Sequence, residues 1–261
     1  MDPAARPSEL TTVIVIPDAH ASPGQDFRRF RWLGRYISEV RAITDGRLVV
    51  VNIGDFADVL SLSYFDKGKR KAEGRRYSDD VDACRDALCQ LHMAAPKKGV
   101  EWVTLLGNHE HRIDRATQEA PELYGAISTT DLGFEAHGHT VVPFLHLYEI
   151  EGVSFAHYMQ SKMGRAISGV NHARSLVLNG HTSLVVGHSH CLDAYWDAGY
   201  AGKPIRCLSV GHYYETPPAE YLVPAARARH WAGIVTLHNV ANGDFDLETL
   251  RMDTLQQRYG D

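Results

Sequence analysis

Three strand-like runs constrain the fold of this 261-residue chain more than any other feature of its sequence. They occupy residues 13–16, 48–53 and 100–106, are rich in valine, isoleucine and leucine, and are each followed directly by proline or glycine. Such runs are typical of strands that are buried on both faces of a parallel sheet. Between them, residues 26–43 and a segment that begins near Ser78, a candidate N-cap, have apolar side chains at helical spacing. Strands that alternate with helices predict an α/β fold.

The second half of the chain is richer in strand signals. Alternating or apolar runs predict strands at residues 141–150, 153–156 and 184–186. A helix is expected over residues 165–178, where a following Asn-Gly pair would end it. Asn242-Gly243, between two strand-like segments, is the strongest hairpin signal in the chain. We expect this terminal antiparallel hairpin to belong to a second sheet that packs on the first.

Side chains that can bind metal ions follow the predicted strands at five places. They are Asp18 and His20, then Asp55, then Asn108, His109 and Glu110, then His157, and finally His188 and His190. A Gly-Asp turn or a pair of histidines is common, and each alone has an ordinary structural explanation. Because ligands of α/β sheets collect at the carboxyl ends of the strands, their joint occurrence there favours one shared site. Carboxylates, imidazoles and an amide in this number are what a two-metal hydrolytic centre requires.

The donor types also limit the metal. Carboxylate, imidazole and amide donors without a thiolate suit Mn²⁺, Fe, Zn²⁺ or Ni²⁺ better than Ca²⁺, and we favour Mn²⁺ as the activating ion. The role of His212 stays open. Other histidines are interpreted as surface or core residues, namely His92, His137, His139, His146, His172, His181, His230 and His238.

Composition and charge argue against several classes of protein. The formal net charge of −5 opposes general affinity for nucleic acid, although it is compatible with a local basic groove. The first residues lack the apolar core of a signal peptide, and no run approaches the roughly 20 apolar residues that span a bilayer. The four cysteines have no Cys-x-x-Cys spacing, which argues against a zinc knuckle or a redox pair. We therefore expect a single cytoplasmic domain over residues 1–261 with reduced thiols and no membrane contact, whereas its oligomeric state stays open.

The order D-x-H, G-D, G-N-H-E, H and G-H-x-H resembles that of the calcineurin-like metallophosphoesterases, from about residue 12 to residue 190. Within that family the chain is similar to small phage and bacterial phosphodiesterases. The resemblance implies an α/β fold of the four-layer αββα type, a sandwich of two mixed β-sheets flanked by helices, with two divalent transition-metal ions bound. C-terminal strands and the hairpin in residues 204–252, and a basic loop in residues 61–77, would complete the domain.

The resemblance also implies a role for each motif residue. Asp18, His20 and His190 would bind one metal ion, Asn108, His157 and His188 would bind the other, and Asp55 would bridge them. The candidate catalytic residues are Asp55, His109 as the proton donor, and Asp58 as an orienting residue. The candidates for contact with the substrate phosphate are Asn108 and Arg112.

Four of these features have alternative explanations. His157 is followed by Tyr158, where family members often have glycine. The alternative residue for this ligand position is His172. Asp58 would otherwise be a helix N-cap, and Arg112 a solvated helix residue. The cations among residues 67–76 would form either a rim for polyanions or a mobile solvated loop.

The implied reaction is metal-dependent hydrolysis of a phosphoester. A hydroxide that bridges the two ions would attack phosphorus while His109 protonates the leaving alkoxide. The expected substrate is a small or nucleotide-type phosphodiester, and the alternatives are a phosphomonoesterase or a nuclease on the same centre. A non-catalytic metal-binding scaffold is the rival from another class. An arginase-like amidinohydrolase is disfavoured, because Ser22 stands where that class has its second aspartate.

Overall fold

The structure is a computed structural model, and it describes residues 10–199, 202–215 and 229–260. In these ranges the strands are β1 (Thr11–Ile16), β2 (Leu48–Asn52), β3 (Glu101–Leu105), β4 (His139–Val142), β5 (Tyr148–Ile150), β6 (Val153–Ala156), β7 (Ser183–Val186), β8 (Leu192–Ala198), β9 (Pro204–Val210), β10 (Gly233–Ala241) and β11 (Asp244–Arg251). The helices are α1 (Arg28–Ile43), α2 (Tyr77–Ala94), α3 (His111–Glu119), α4 (His172–Gly180) and α5 (Met252–Tyr259). The predicted alternation of strands and helices in the first half is confirmed.

The first sheet contains six strands in the order β11-β10-β1-β2-β3-β4. Strands β1 to β4 run parallel to one another. All six residues of β1 are buried. Ile14 and Ile16 pack among the apolar residues of α1 and α2, whereas Val13 and Val15 pack against the second sheet. The prediction that these strands are buried on both faces is therefore confirmed.

The second sheet contains five strands in the order β5-β6-β7-β9-β8, with β6, β7 and β9 parallel and the two edge strands antiparallel. Phe155 and Val185 face the first sheet. Leu184 and Val186 face outward and pack with Leu176 of α4. Because α1, α2 and α5 cover the outer face of the first sheet, the layers follow the order helix, sheet, sheet, helix. This is the four-layer αββα sandwich of two mixed sheets that the sequence predicts.

The terminal hairpin does not lie where we expected it. Asn242 and Gly243 connect β10 to β11 as predicted, and both have positive φ angles, 53° and 81°. However, β10 pairs antiparallel with β1, so the hairpin extends the first sheet and not the second. This pairing satisfies the N–H and C=O groups of β1, which would otherwise form an open edge. Residues 204–252 thus contribute β9 to one sheet and the hairpin to the other.

Three predictions of local structure are wrong. Residues 141–150 form two strands in different sheets, β4 and β5, and Pro143 between them has no N–H with which to continue a ladder. The helix expected from residue 165 begins only at His172, after Gly169, whose φ of 127° is not helical. Ser78 lies inside α2, which begins at Tyr77 without a side-chain cap.

Two general expectations can be compared with the described residues. No helix among them combines the length and the apolar composition that crossing a membrane requires. The cysteines Cys84, Cys89, Cys191 and Cys207 are free thiols.

Candidate metal centre

The predicted ligand turns meet at the carboxyl ends of the strands. The backbone N–H of His20 donates to the carbonyl of Asp55 at 2.9 Å and joins the turns after β1 and β2. The N–H of His188 donates to both oxygens of the Asp18 carboxylate at 2.9 and 3.0 Å. The N–H of His109 donates to Oδ1 of Asp55 at 2.8 Å. The two carboxylates therefore fix turns from distant parts of the chain against one another, because Asp18 and His188 are 170 residues apart.

A first group of ligands consists of Asp18, His20 and His190. One potential ligand atom from each lies within 4.8 Å of the others. Nε2 of His190 is 3.2 Å from Oδ2 of Asp18 and 3.2 Å from Nε2 of His20. The three side chains therefore converge on one point, as binding of a single ion requires.

A second group consists of Asp55, His157 and His188, again within 4.8 Å of one another. Nε2 of His157 is 3.2 Å from Oδ2 of Asp55 and 2.9 Å from Oδ1 of Asn108, so the Asn108 amide also belongs here. Asp55 also forms a cluster with His20 and His109. Asp55 is thus the carboxylate that links the two groups.

Backbone geometry at the centre is strained. His20, Asp55, His188 and His190 all have left-handed φ angles, of 46°, 51°, 65° and 58°. Non-glycine residues rarely adopt this conformation, which costs about 1–3 kcal/mol each and persists where the surrounding structure enforces it. Strain of this kind is concentrated at functional sites in proteins. Four strained ligand candidates in one cluster therefore indicate a site selected for function.

Two glycines allow the carboxylates to lie close to the backbone. A Cβ atom added to Gly107 would collide with Oδ1 of Asp55, and one added to Gly187 would collide with Oδ1 of Asp18. These contacts explain why glycine precedes the ligands in the third and fifth motifs.

The charges of the site fit divalent cations. Asp18 and Asp55 are 0% and 2% exposed. Burial by itself raises the pKa of both carboxyl groups, but hydrogen bonds and charges from neighbouring histidines outweigh burial and lower both pKa values. Two ionised carboxylates in a buried site need compensating positive charge. Oxygen and nitrogen donors around these carboxylates fit two transition-metal ions as their source.

Asp58 lies between a ligand candidate and the proposed proton donor. Its Oδ1 is 2.6 Å from Nδ1 of His109 and 3.3 Å from Nδ1 of His20. Burial raises the pKa of Asp58, but hydrogen bonds from His109 and His20 outweigh it, and the pKa is lowered. Because the carboxylate is engaged with these two rings, Asp58 is not the helix cap considered as its alternative.

Arg112 is buried beside His109, and its side chain is only 11% exposed. Its Nη1 donates to the carbonyl of Asp58 at 2.7 Å, and its Nη2 lies 3.0 Å from Nε2 of His109. The alternative of a solvated helix arginine is therefore wrong. The guanidinium lies against the site.

Glu110 has a structural role that the sequence did not reveal. It is fully buried, and its carboxylate accepts hydrogen bonds from the backbone N–H groups of Asp55, Ala57 and Gly107 at 2.8 to 3.0 Å. The residue thus fixes the turn that carries Asp55.

The structure separates His157 from its proposed substitute. His157 is 3% exposed and contacts Asp55 and Asn108 as described above. His172 is the first residue of α4, on the outer side of the second sheet, and belongs to none of the candidate metal clusters among the described residues. Tyr158, which replaces the usual glycine, packs its ring on His188 with the ring centroids 4.7 Å apart.

Three further residues near His190 were not predicted to belong to the site. The hydroxyl of Tyr214 lies 3.1 Å from Nδ1 of His190, and the ring of His212 stacks on Tyr214 with centroids 3.9 Å apart. The ring of His230 is 5.4 Å from that of His190. Val210-Gly211-His212, at the end of β9, repeats the pattern of an apolar run followed by glycine and histidine, and this signal could have identified the region.

Two mixed sheets between helices, with aspartates and histidines gathered at the strand ends, define the class of α/β metallohydrolases. The sequence model of the calcineurin-like phosphoesterase family matches residues 11–201, and the chain belongs to that family. It is therefore a hydrolase that acts on phosphoric esters, in a family that depends on a binuclear divalent-metal centre. The chain is also similar to the gene 54 protein of Mycobacterium phage L5, with 26% identity over 223 residues that cover 80% of this chain and 82% of the phage protein.

Proposed function

We propose that this phosphoesterase is a phosphodiesterase that hydrolyses small or nucleotide-type phosphodiesters, with His109 as the general acid. The observation that carries the proposal is the pairing of His109 with Asp58 beside two ligand groups that Asp55 links. A ligand cluster alone would suit a metal-binding scaffold, whereas an oriented imidazole next to it supports proton transfer.

The metal ions would be held by the two ligand groups. Asp18, His20 and His190 would bind one ion, Asn108, His157 and His188 would bind the other, and Asp55 would contact both. When bound, the ions would supply the nucleophilic water and neutralise charge on the phosphoryl oxygens. Mn²⁺ is the ion that we propose for assays, because it accepts both oxygen and imidazole ligands.

The contacts of His109 define which of its nitrogens can transfer a proton. Nδ1 is 2.6 Å from Oδ1 of Asp58, so Nδ1–H is donated to that carboxylate. Nε2 accepts from Nη2 of Arg112 at 3.0 Å here, and we propose that it holds the proton for the leaving oxygen once the guanidinium has turned to the substrate phosphate. Burial lowers the pKa of His109, but the charge of Asp55 and the hydrogen bond to Asp58 outweigh it, and the pKa is raised. A raised pKa favours the protonated form that a general acid needs.

The cation beside His109 supports a diester substrate. Among the described residues, Arg112 is the cationic side chain that contacts both His109 and Asp58. Its guanidinium, together with the Asn108 amide, would bind the phosphoryl group. A diester carries one negative charge, whereas a phosphomonoester carries about 1.5 to 2 at neutral pH. A single arginine is better matched to the diester.

A comparison of rates tests this proposal. We expect the Mn²⁺-loaded protein to hydrolyse bis-p-nitrophenyl phosphate faster than p-nitrophenyl phosphate, with cyclic nucleotides measured beside them. A faster monoester reaction would make the protein a phosphomonoesterase. If no transition metal supported turnover of any of these esters, the chain would be a metal-binding scaffold.

We also propose that the protein acts in the cytoplasm. Its four cysteines are free thiols, which is typical of proteins in reducing compartments. Fractionation of cells that express a tagged chain tests this location, and recovery in an extracellular or membrane fraction would contradict it.

A further inference from the structure

Two aromatic side chains in the basic segment are exposed to solvent. Tyr64 is 61% exposed and Phe65 is 75% exposed. Their rings form an edge-to-face pair with centroids 6.3 Å apart. Large aromatic side chains stabilise a core when they are buried. Exposed as a pair, they offer flat faces on which a ligand can stack.

Cations follow this aromatic pair along the chain. Lys67, Lys69 and Arg70 are all exposed. Asp66, only 5% exposed, forms ion pairs with Lys71 and with Arg75, the latter at 2.7 Å. These pairs tie the short helical turn Tyr64–Asp66 to the rest of the segment. The segment is therefore held in place by its own ion pairs, and the alternative of a mobile solvated loop is not favoured.

Side chains of α3 link the aromatic pair to the metal centre. The guanidinium of Arg115 is over the ring of Tyr64, 5.8 Å from its centroid. Arg115 follows Arg112 by three residues on α3, and one helical turn advances about 5.4 Å. Arg112 contacts His109. A chain of neighbouring side chains thus connects the exposed rings to the proposed proton donor.

We propose that Tyr64, Phe65, Lys67, Lys69, Arg70 and Arg115 form an aromatic–basic platform that binds single-stranded nucleic acid and presents its backbone phosphodiesters to the metal centre. The cleavage step rests on the proposed function, whereas the binding step does not. In the cleavage step water loses a proton to solvent as its oxygen adds to phosphorus, the P–O ester bond breaks, and His109 gives its proton to the leaving oxygen and then takes up a proton from solvent.

The chemistry of the platform favours a single strand over other polyanions. Aromatic side chains bind unpaired bases by stacking, worth about 1–3 kcal/mol per base, and this binding needs no particular sequence. Paired bases in a duplex do not expose their faces. Because the whole chain has a net charge of −5, attraction of phosphates depends on local clusters of cations such as this one.

Binding of a fluorescent 20-nucleotide single strand, measured by anisotropy, tests the platform. Variants are compared in a Mn²⁺-loaded His109→Ala background, which slows cleavage, with both oligodeoxythymidine and oligouridine. We expect Phe65→Ala to raise the Kd about tenfold or more, in keeping with the loss of one stacked base. Elemental analysis should find the same metal content with and without Phe65.

Trp196 provides a matched control for the aromatic change. It is 40% exposed, forms an edge-to-face pair with Phe245 at 6.3 Å, and has the guanidinium of Arg206 at 5.8 Å from its ring centroid. Like Tyr64, Trp196 thus has a second aromatic ring and a guanidinium beside it, but it lies on β8 in the second sheet. Trp196→Ala should leave the Kd for the single strand unchanged.

The salt dependence of binding tests the cations. For single strands, log Kobs falls with log salt concentration with a slope of about −0.7 for each neutralised phosphate. Lys67→Ala/Lys69→Ala should therefore reduce the steepness of this slope by about 1.4. Lys98→Ala/Lys203→Ala removes the same charge from exposed residues. These residues precede β3 and β9, at the ends of the strands that lie away from the metal centre. This control should leave the slope unchanged.

Several results would overturn the platform. Equal affinity for a duplex of the same length, or an unchanged Kd in Phe65→Ala, would remove the evidence for base stacking. Self-association of the protein that Phe65→Ala abolishes would assign the rings to a protein interface. Failure of the proposed function would differ from these results, because the wild-type protein would then bind the strand without hydrolysing it or bis-p-nitrophenyl phosphate.

Discussion

At the scale of single residues, the site depends on side chains that orient other side chains. Asp58 contacts the rings of His20 and His109, and Glu110 fixes the turn that carries Asp55. The Tyr214 hydroxyl contacts Nδ1 of His190, the ring nitrogen that does not face the other ligands. Groups that hydrogen-bond to metal-binding histidines select the nitrogen that is free to bind the ion. Ligand identity alone therefore describes only part of this centre.

Replacement of His109 should separate catalysis from metal binding. We expect His109→Ala to lose about 10²–10⁴-fold in turnover of a diester with a poor leaving group, since a general acid contributes that much. Bound metal, measured by elemental analysis, should stay at the wild-type level, because His109 lies outside the two proposed ligand sets. His111→Ala, on the half-exposed neighbour at the start of α3, is the control. Full activity in His109→Ala would exclude the acid role.

Replacement of Tyr214 should weaken metal binding through His190. The Tyr214 hydroxyl lies 3.1 Å from Nδ1 of His190, which leaves Nε2 to face Asp18 and His20. We expect Tyr214→Phe to raise the Kd for one Mn²⁺ ion about 10- to 100-fold, the usual cost of losing such a partner. Calorimetric titration of the apoprotein measures this affinity. An unchanged Kd would show that the tyrosine does not orient the ligand.

At the scale of elements, the ends of α2 and β4 form a second histidine cluster, away from the metal centre. Nε2 of His92 is 2.9 Å from Nε2 of His139, whose Nδ1 is 2.7 Å from Oγ1 of Thr104. His137 stacks on His92, and Lys97 adds positive charge nearby. Burial and the charges of His137 and Lys97 lower the pKa of His92 to about 4, and burial and the charges of His92 and His137 lower that of His139 to about 3.

This cluster should make the fold sensitive to acid. Both histidines bind a proton more readily in the unfolded chain, where the pKa is near 6.5, so their contribution to stability is lost as the pH falls below 6.5. We expect the free energy of unfolding of the metal-loaded protein to fall between pH 6.5 and 4.5. The fall should be about 2 kcal/mol smaller in His139→Gln. Urea titrations at each pH measure it. Parallel curves for the two proteins would contradict this assignment.

At the scale of the whole molecule, the two sheets bring the ligand turns together. β1, β2 and β3 end at one edge of the first sheet, and β6 and β7 end at the facing edge of the second. The apolar layer between the sheets includes Val13, Val51 and Val185. Ligands from both sheets therefore form one centre only when the sandwich is closed.

Because the ligands come from both sheets, metal removal should destabilise the entire fold. Ions that bind only the folded chain stabilise it by RT ln(1 + [L]/Kd), about 2.7 kcal/mol when the ion is present at 100 times its Kd. We expect a chelator to lower the Tm by several degrees, and added Mn²⁺ to restore it in scanning calorimetry. A Tm that did not respond to chelation would indicate that the ions do not link the sheets.

Strands β1, β2, β3, β6 and β7, their order along the chain and the positions of the candidate ligands were predictable from the sequence, whereas β8 was not predicted. Runs such as residues 13–16 and the turns after them depend on local periodicity and local backbone chemistry, which neighbouring residues determine. The split of residues 141–150 between two sheets was not predictable, because it depends on which strand lies alongside. The place of the terminal hairpin beside β1 was unpredictable for the same reason.

The amino-acid sequence by itself determined which donors are present and at which strand ends they lie. Only the tertiary structure decided which donors share a centre and which residues orient them. Asp58 reaches His20 and His109 across 38 and 51 residues of chain, and Tyr214 joins the site from beyond β9. Such contacts depend on how the two sheets pack, and the packing of distant elements leaves no periodic pattern in the sequence.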